Sequence, residues 1–236
     1  MSEQSYIGTE LMIFAKADKW KRYFSEFITP FLGQKVLEVG AGIGATTKIL
    51  CKDHIDWLCL EPDPALLGEI EEKILNAELP AGCRTSTGFV SDLDEESLFN
   101  AILYIDVLEH IEDDRDELAN AARHLVPGGK LIVLSPAYEA LYSPFDKAIG
   151  HYRRYNRSSM AALTPDGCSI ARLIYLDSIG VFLSLANRFM LQQRTPTDEQ
   201  IQFWSNNIVP ISKVFDRLTG YNFGRSILCI WEMQTG

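Results

Sequence analysis

The sequence predicts an α/β fold in which one doubly wound, mostly parallel sheet carries helices on both faces. Two observations predict it. From residue 35 onward, short β-type apolar runs alternate with segments of helical periodicity, and that alternation buries a parallel sheet on both sides. The first run, Val36-Leu37-Glu38-Val39, leads into three glycines, Gly40, Gly42 and Gly44. A glycine turn between strand and helix is where open α/β sheets hold nucleotide-like ligands.

Ahead of the sheet, Trp20, Tyr23, Phe24, Phe27 and Ile28 fall at helical spacing with Pro30 close behind. Residues 1–34 therefore read as a helical N-terminal cap. Residues 35–39 form strand one, followed by the glycine loop and a short helix through Leu50. Residues 56–60 form strand two. Asp63 caps the next helix with Pro64 at its first position, and Leu66, Leu67, Ile70 and Ile74 make its buried stripe. Strands three and four fall at 84–90 and 100–105. Asp114-Arg115-Asp116-Glu117 has capping-box spacing and opens a helix with the stripe Leu118, Ala121, Ala122 and Leu125. Pro127-Gly128-Gly129 ends that helix, and residues 130–134 are strand five. The last strand-like runs are 170–176 and 226–231. No linker or repeat divides the chain, so residues 1–236 are expected to form a single domain.

A formal net charge of -10 repels phosphate backbones, so a nucleic-acid partner is not expected. The one dense basic run, Arg153-Arg154 with Arg157, is short for a nucleic-acid track. Five scattered cysteines form no Cys-x-x-Cys pair and read as buried reduced thiols. No basic-then-apolar leader opens the sequence, and no apolar run approaches the ~20 residues of a membrane span. A cytoplasmic protein without a membrane partner is the expectation. Nothing in the pattern fixes an oligomeric state.

Three segments carry a family resemblance. Glu38 stands two residues ahead of Gly40-x-Gly42-x-Gly44. Strand four runs into Tyr104-Ile105-Asp106-Val107-Leu108-Glu109-His110-Ile111, and Leu125-Val126-Pro127-Gly128-Gly129-Lys130-Leu131 follows. In this order they resemble the class I S-adenosylmethionine-dependent methyltransferases, in particular bacterial small-molecule enzymes with an Asp-Val-Leu-Glu-His-Ile segment. The likeness covers roughly residues 35–135. The run His151-Tyr152-Arg153-Arg154-Tyr155 is also similar to bacterial members. The resemblance implies a Rossmann-like sheet of seven strands, the seventh (226–231) antiparallel, with a donor-binding half at 35–135 and an acceptor-side half at 136–236.

It also implies roles. Gly40, Ala41, Gly42 and Gly44 would take the methionine part of S-adenosylmethionine, with Glu38 near its amino group. Glu61, followed by Pro62, would accept from the ribose hydroxyls. Asp92, after Ser91, would approach the adenine amino group, and Asp106 and Val107 would line the space beside the sulfonium. Plainer roles stand next to two of these: Asp92 as a loop cap, and Glu61 as a carboxylate at the head of the next helix. His110 reads either as a general base or as a structural histidine, and His151 as a second base candidate. Beyond strand five, Tyr138, Tyr142, Tyr152, Arg153, Arg154 and Tyr155 are the substrate-side candidates. Aromatics there supply an apolar wall, and arginine clamps a carboxylate or phosphate. A surface loop held by stacking and ion pairs is the plainer reading.

Methyl transfer from an activated sulfonium needs mainly orientation, and the sequence shows no metal-ligand spacing. A small-molecule acceptor methylated at oxygen or nitrogen is expected, with carbon acceptors left open. Two other functions fit parts of the pattern. A catalytically silent relative could serve as a partner or regulatory module. Gly40-x-Gly42-x-x-Ala45, with Glu61 about 20 residues on, also fits a nicotinamide-dependent oxidoreductase. The third glycine at 44 and the acid at 38 favour the methyl donor.

Overall fold

The computed structural model describes residues 11–186 and 196–235, so the first ten residues of the expected N-terminal cap lie outside the described residues. One seven-stranded sheet comprises β1 (Lys35–Val39), β2 (Asp56–Glu61), β3 (Cys83–Thr87), β4 (Phe99–Ile105), β5 (Leu125–Pro136), β6 (Cys168–Leu176) and β7 (Ser226–Met233). Its order is β3-β2-β1-β4-β5-β7-β6. Neighbours among the first five strands pair in parallel, whereas β7 is antiparallel to both β5 and β6. The expected doubly wound sheet with an antiparallel seventh strand is observed.

Successive strand residues point to opposite faces, and both faces are buried, which explains why these strands read as nearly continuous apolar runs. Val36, Leu103, Ile132 and Leu134 join Trp20, Phe24 and Leu50 in one core. Leu37, Ile102, Leu131 and Val133 join Leu118, Ala121 and Met160 in the other. From β1 the chain moves outward to β2 and β3, then returns to build β4 and β5 on the opposite side. Such a reversal opens a crevice at the carboxyl ends of β1 and β4.

Three local expectations need correction. Strand three ends at Thr87 rather than residue 90, because Gly88 is followed by a tight turn at Val90–Asp92. The helix Asp114–Arg123 is capped by Asp113, whose carboxylate accepts from the Asp116 amide at 3.2 Å. Pro127-Gly128-Gly129 lies within β5, where the register against β4 slips, rather than forming the stop of the preceding helix. A bulge absorbs the missing proline N–H.

A roof over the carboxyl edge is built from both ends of the described chain. Trp20 of the helix Asp18–Ile28 packs on Trp204 with ring centroids 5.6 Å apart. Tyr23 donates its hydroxyl to Asp216 at 2.7 Å, and ion pairs join Lys16 to Asp198 and Lys213 to Glu26. Asp216, fully buried, also accepts from the amides of Asp177 and Ser178 at 2.8 Å each. A π-helical turn at Trp204–Ile208 precedes the helix Val209–Leu218. Pro210 has no N–H to offer the Asn206 carbonyl four residues back, and Lys19 Nζ supplies a bond there at 3.1 Å.

Because Tyr23 anchors this roof through one buried bond to a carboxylate, Tyr23→Phe is expected to lower unfolding free energy by about 1.5–3 kcal/mol. Urea denaturation would measure it, and a midpoint equal to wild type would remove that bond from the stabilising set.

Candidate active site

The glycine loop leaves β1 with the Gly40 amide bonded to the Leu60 carbonyl at 2.8 Å. Gly40 takes φ +65°, and a Cβ there would lie 2.7 Å from Val107 Cγ2. Glycine is thus required for the loop to seat on the residue after Asp106. Gly42, at φ +55°, would direct a Cβ toward Leu11 at 3.5 Å, on the cavity side. Gly44 faces Ile70 instead, in the core.

Glu38 is buried at the end of β1. Its Oε2 accepts from Thr47 Oγ1 at 2.6 Å and from Trp57 Nε1 at 2.9 Å. Burial pushes its carboxyl up to about 7, opposed by those two bonds and reinforced by the charge of Glu61. Glu61 is buried too, accepting from the Gly42 amide at 2.8 Å through one oxygen and from the Asp63 amide at 3.1 Å through the other. Desolvation raises its carboxyl as well. The ribose acid expected from the sequence is therefore also the brace of the glycine loop.

Between this loop and the roof lies a cavity of about 630 Å³. Its walls include Glu38, Gly40, Ala41, Gly42, Asp106, His110, His151 and Arg154. Asp106 follows β4 at φ +55° and opens toward the cavity. Surrounding protein raises its carboxyl, against the pull of His151, Arg225 and Lys21. Gly44, Glu61, Pro62, Ser91, Asp92 and Val107 are not on these walls. Pro62, Ser91 and Asp92 are exposed, and Asp92 accepts from the Phe89 amide at 2.8 Å, as a turn cap does. Val107 sits behind Gly40.

The segment beyond β5 divides in two. Arg154 and His151 reach the cavity, whereas Tyr138, Tyr142, Tyr152, Arg153 and Tyr155 do not. Tyr138 stacks on Tyr175 at 5.0 Å. Tyr142 donates to the His151 carbonyl at 2.6 Å. Arg153 lies over Tyr152 and pairs with Asp114 at 2.7 Å, and the buried Tyr155 donates to the same carboxylate at 2.8 Å. Tyr138, Arg153 and Tyr155 fasten the segment to the body. Arg154 is no free clamp either, since its Nε and Nη2 grip Asp146 at 2.8 and 3.0 Å.

Asp146 gathers this corner. It is fully buried and accepts from Arg154, from Ser143 and from His151 Nδ1 at 3.0 Å. Burial alone would raise its carboxyl, but the His151, Arg154 and Ser143 bonds and the Arg154 charge hold it well below the usual carboxylate range. The His110 ring stands edge-on to His151, centroids 4.5 Å apart. His110 is exposed to the cavity, yet desolvation by the surrounding protein, then the His151 charge, pushes its imidazole down to about 4. Glu109, fully buried, accepts from Ser135 Oγ at 2.9 Å through Oε2.

Sequence reasoning missed Lys21, Glu109 and Arg225 as cavity residues. Lys21 reads as surface lysine on a helix, yet it is buried and donates to the Phe14 and Ala15 carbonyls at 2.6 and 3.0 Å. Desolvation pulls its ammonium down to about 8. Only Glu109, set between Leu108 and the apolar Ile111, carried a sequence hint of burial.

Residues 37–131 match the family model of a methyltransferase domain. A demethylmenaquinone methyltransferase of Tropheryma whipplei is 28% identical over 162 residues, which is 68% of this chain and 65% of that protein. A ubiquinone biosynthesis O-methyltransferase of Methylococcus capsulatus is 27% identical over 120 residues, 51% of each chain. The chain thus spans just under two thirds of the first relative and half of the second. An S-adenosylmethionine-dependent methyltransferase from Clostridium acetobutylicum aligns at a TM-score of 0.59 with 13% identity, covering 92% of both chains. That last likeness is one of fold.

Glu38 generates a pH prediction. Its folded value of about 7 stands above its ordinary 4.5, so between the two the folded chain holds the extra proton. Its contribution to stability is complete below pH 4.5 and is lost as pH rises through 7. From pH 5 to 8, wild type should lose on the order of 2 kcal/mol relative to Glu38→Gln, by paired urea titrations. Parallel profiles would show that Glu38 is ionised throughout.

Proposed function

We propose that this chain, a class I S-adenosylmethionine-dependent methyltransferase by domain and fold, transfers the donor's methyl group to a small-molecule acceptor at oxygen or nitrogen. The observation that carries this reading is a shared wall. Glu38, Gly40, Gly42 and Asp106 line one cavity at the point where the strand order reverses.

In this reading the methionine part of the donor lies along Gly40–Gly42 with its ammonium toward Glu38. Each Glu61 oxygen takes one amide bond, which leaves each a lone pair for a ribose hydroxyl. The adenine end extends toward Pro62, Ser91 and Asp92. Asp106 borders the sulfonium, with Val107 holding the loop behind it. The acceptor approaches from the corner of His110, Asp146, His151 and Arg154. Transfer is an in-line displacement, so holding the two partners at about 3–3.5 Å supplies most of the acceleration. Asp146 at Nδ1 orients the His151 ring so that Nε2 points away from it, toward Glu109 and His110. In the neutral ring that nitrogen is placed to take a proton from the acceptor. The names of the relatives, a demethylmenaquinone methyltransferase and a ubiquinone biosynthesis O-methyltransferase, support an aromatic or quinone-like acceptor carrying oxygen.

Calorimetric titration separates this reading from its rivals. S-adenosylhomocysteine should bind and NAD should not; the opposite result would favour the oxidoreductase. Binding without label transfer from methyl-labelled donor to any member of an acceptor panel would favour a silent module.

Two substitutions probe the donor side. Gly42→Val, which fills the cavity side of the loop, should abolish S-adenosylhomocysteine binding in protein with a native circular dichroism spectrum. Glu61→Ala should weaken the donor at least about tenfold, because charge-assisted bonds are worth about 1.5–3 kcal/mol each, while acceptor KM changes much less. Wild-type donor affinity in both variants would remove the loop from the site.

A further inference from the structure

We propose that Glu109, His110 and His151 form a site for one divalent transition-metal ion of the zinc class, at the acceptor end of the cavity. One ligand atom from each lies within 4.8 Å of the others. Donors bound at about 2.0–2.2 Å in tetrahedral geometry sit roughly 3.3–3.6 Å apart, so closing on an ion draws the widest pair together by at most about 1.5 Å.

A second observation points to a ligand independently. Glu109 is fully buried, and its Oε1 has no hydrogen-bond partner although Oε2 accepts from Ser135. That orphaned oxygen lies 3.8 Å from His151 Nε2. An unpartnered oxygen on a buried carboxylate is costly, and a cation held between Glu109 and the two rings would be its missing partner.

The surroundings prepare both rings as ligands. His151 Nδ1 is held by Asp146 at 3.0 Å, and the His110 ring hydrogen-bonds the Ile149 carbonyl. Such partners orient metal-bound imidazoles, as in a carboxylate–histidine–metal arrangement. Asp146 is itself fixed by Arg154 and Ser143, so the support reaches a third layer of residues. Two imidazoles and one carboxylate suit zinc, manganese or iron, not magnesium or calcium. Glu109, His110 and His151 all line the cavity, and three protein ligands with an open position describe a catalytic rather than a structural site.

The consequence for chemistry rests on the methyl-transfer reading. A metal at this point would bind the acceptor oxygen and ease loss of its proton to water. The oxygen then attacks the methyl carbon, the carbon–sulfur bond breaks, and the donor leaves as neutral S-adenosylhomocysteine. His151 acts as a ligand in this scheme, not as the base.

The test uses the full chain, stripped by chelator and dialysed against Zn²⁺, with Mg²⁺ in a parallel cell. Metal content by mass spectrometry should reach one zinc per chain and no magnesium, and Co²⁺ substitution should give visible bands of four- or five-coordinate cobalt. Glu109→Gln and His110→Asn should each weaken zinc at least tenfold while circular dichroism and S-adenosylhomocysteine binding stay at wild-type values. His151→Asn provides a third variant should either fail to fold. No zinc above background in wild type, or equal zinc affinity in the folded variants, overturns the site. Donor binding without zinc refutes the metal alone. Stoichiometric zinc without donor binding refutes the methyl-transfer reading alone.

Discussion

A carboxylate placed inside an apolar sheet must find donors, and Glu38 imposes that demand on everything around it. Its partners come from the helix after the glycine loop and from β2, through Thr47 and Trp57. The loop is thereby tied at the residue before it and at the residue that begins the following helix. Glu61 ties it a third time, at the Gly42 amide. Two buried acids thus set the path of a backbone that glycine alone leaves free, since glycine gives up more conformational entropy on folding than any other residue. The groups expected to bind a ligand are thus the same groups that hold the loop in shape.

The fold was legible because its signals are local. Strand runs, the Asp63–Pro64 helix start and the glycine turn each depend on neighbours in sequence, and each stands where periodicity puts it. The family motifs then fixed the antiparallel seventh strand, which no local pattern encodes. The cavity wall around the glycine loop was legible for the same reason: Glu38, Gly40, Gly42 and Asp106 belong to continuous motifs.

The acceptor side was not. Tyr155 and Arg153 have the same character in sequence as Arg154, yet the first two close on Asp114 and only the third turns inward to Asp146. Which partner each finds depends on where the Asp114–Arg123 helix docks, a long-range fact. Lys21 and Asp146 are charged residues that a periodic reading leaves on the surface, and burial with dedicated partners is what makes them exceptions. Of the cationic cluster that suggested an anion clamp, Arg153 and Arg154 are spent on internal carboxylates, and Arg157 bonds the Tyr221 carbonyl and Asn222. Arg225 repeats the pattern, with its Nε 3.2 Å from Asp177 and its guanidinium over the Trp204 ring.

The roof joins residues far apart along the chain: Tyr23 and Asp216 are 193 positions apart, and Lys19 and Asn206 are 187. Contacts of such separation close the largest loops and form late, because chain entropy opposes them until the body exists to hold both ends. During synthesis the parallel sheet can therefore assemble around β1 and β4 while the N-terminal helix waits for its partner. The crevice exists first as an open trough, with Trp20 and Tyr23 exposed and prone to stray association. It becomes an enclosed chamber only when the last helices leave the ribosome. Competence to hold a ligand away from water thus depends on the contacts that span most of the chain.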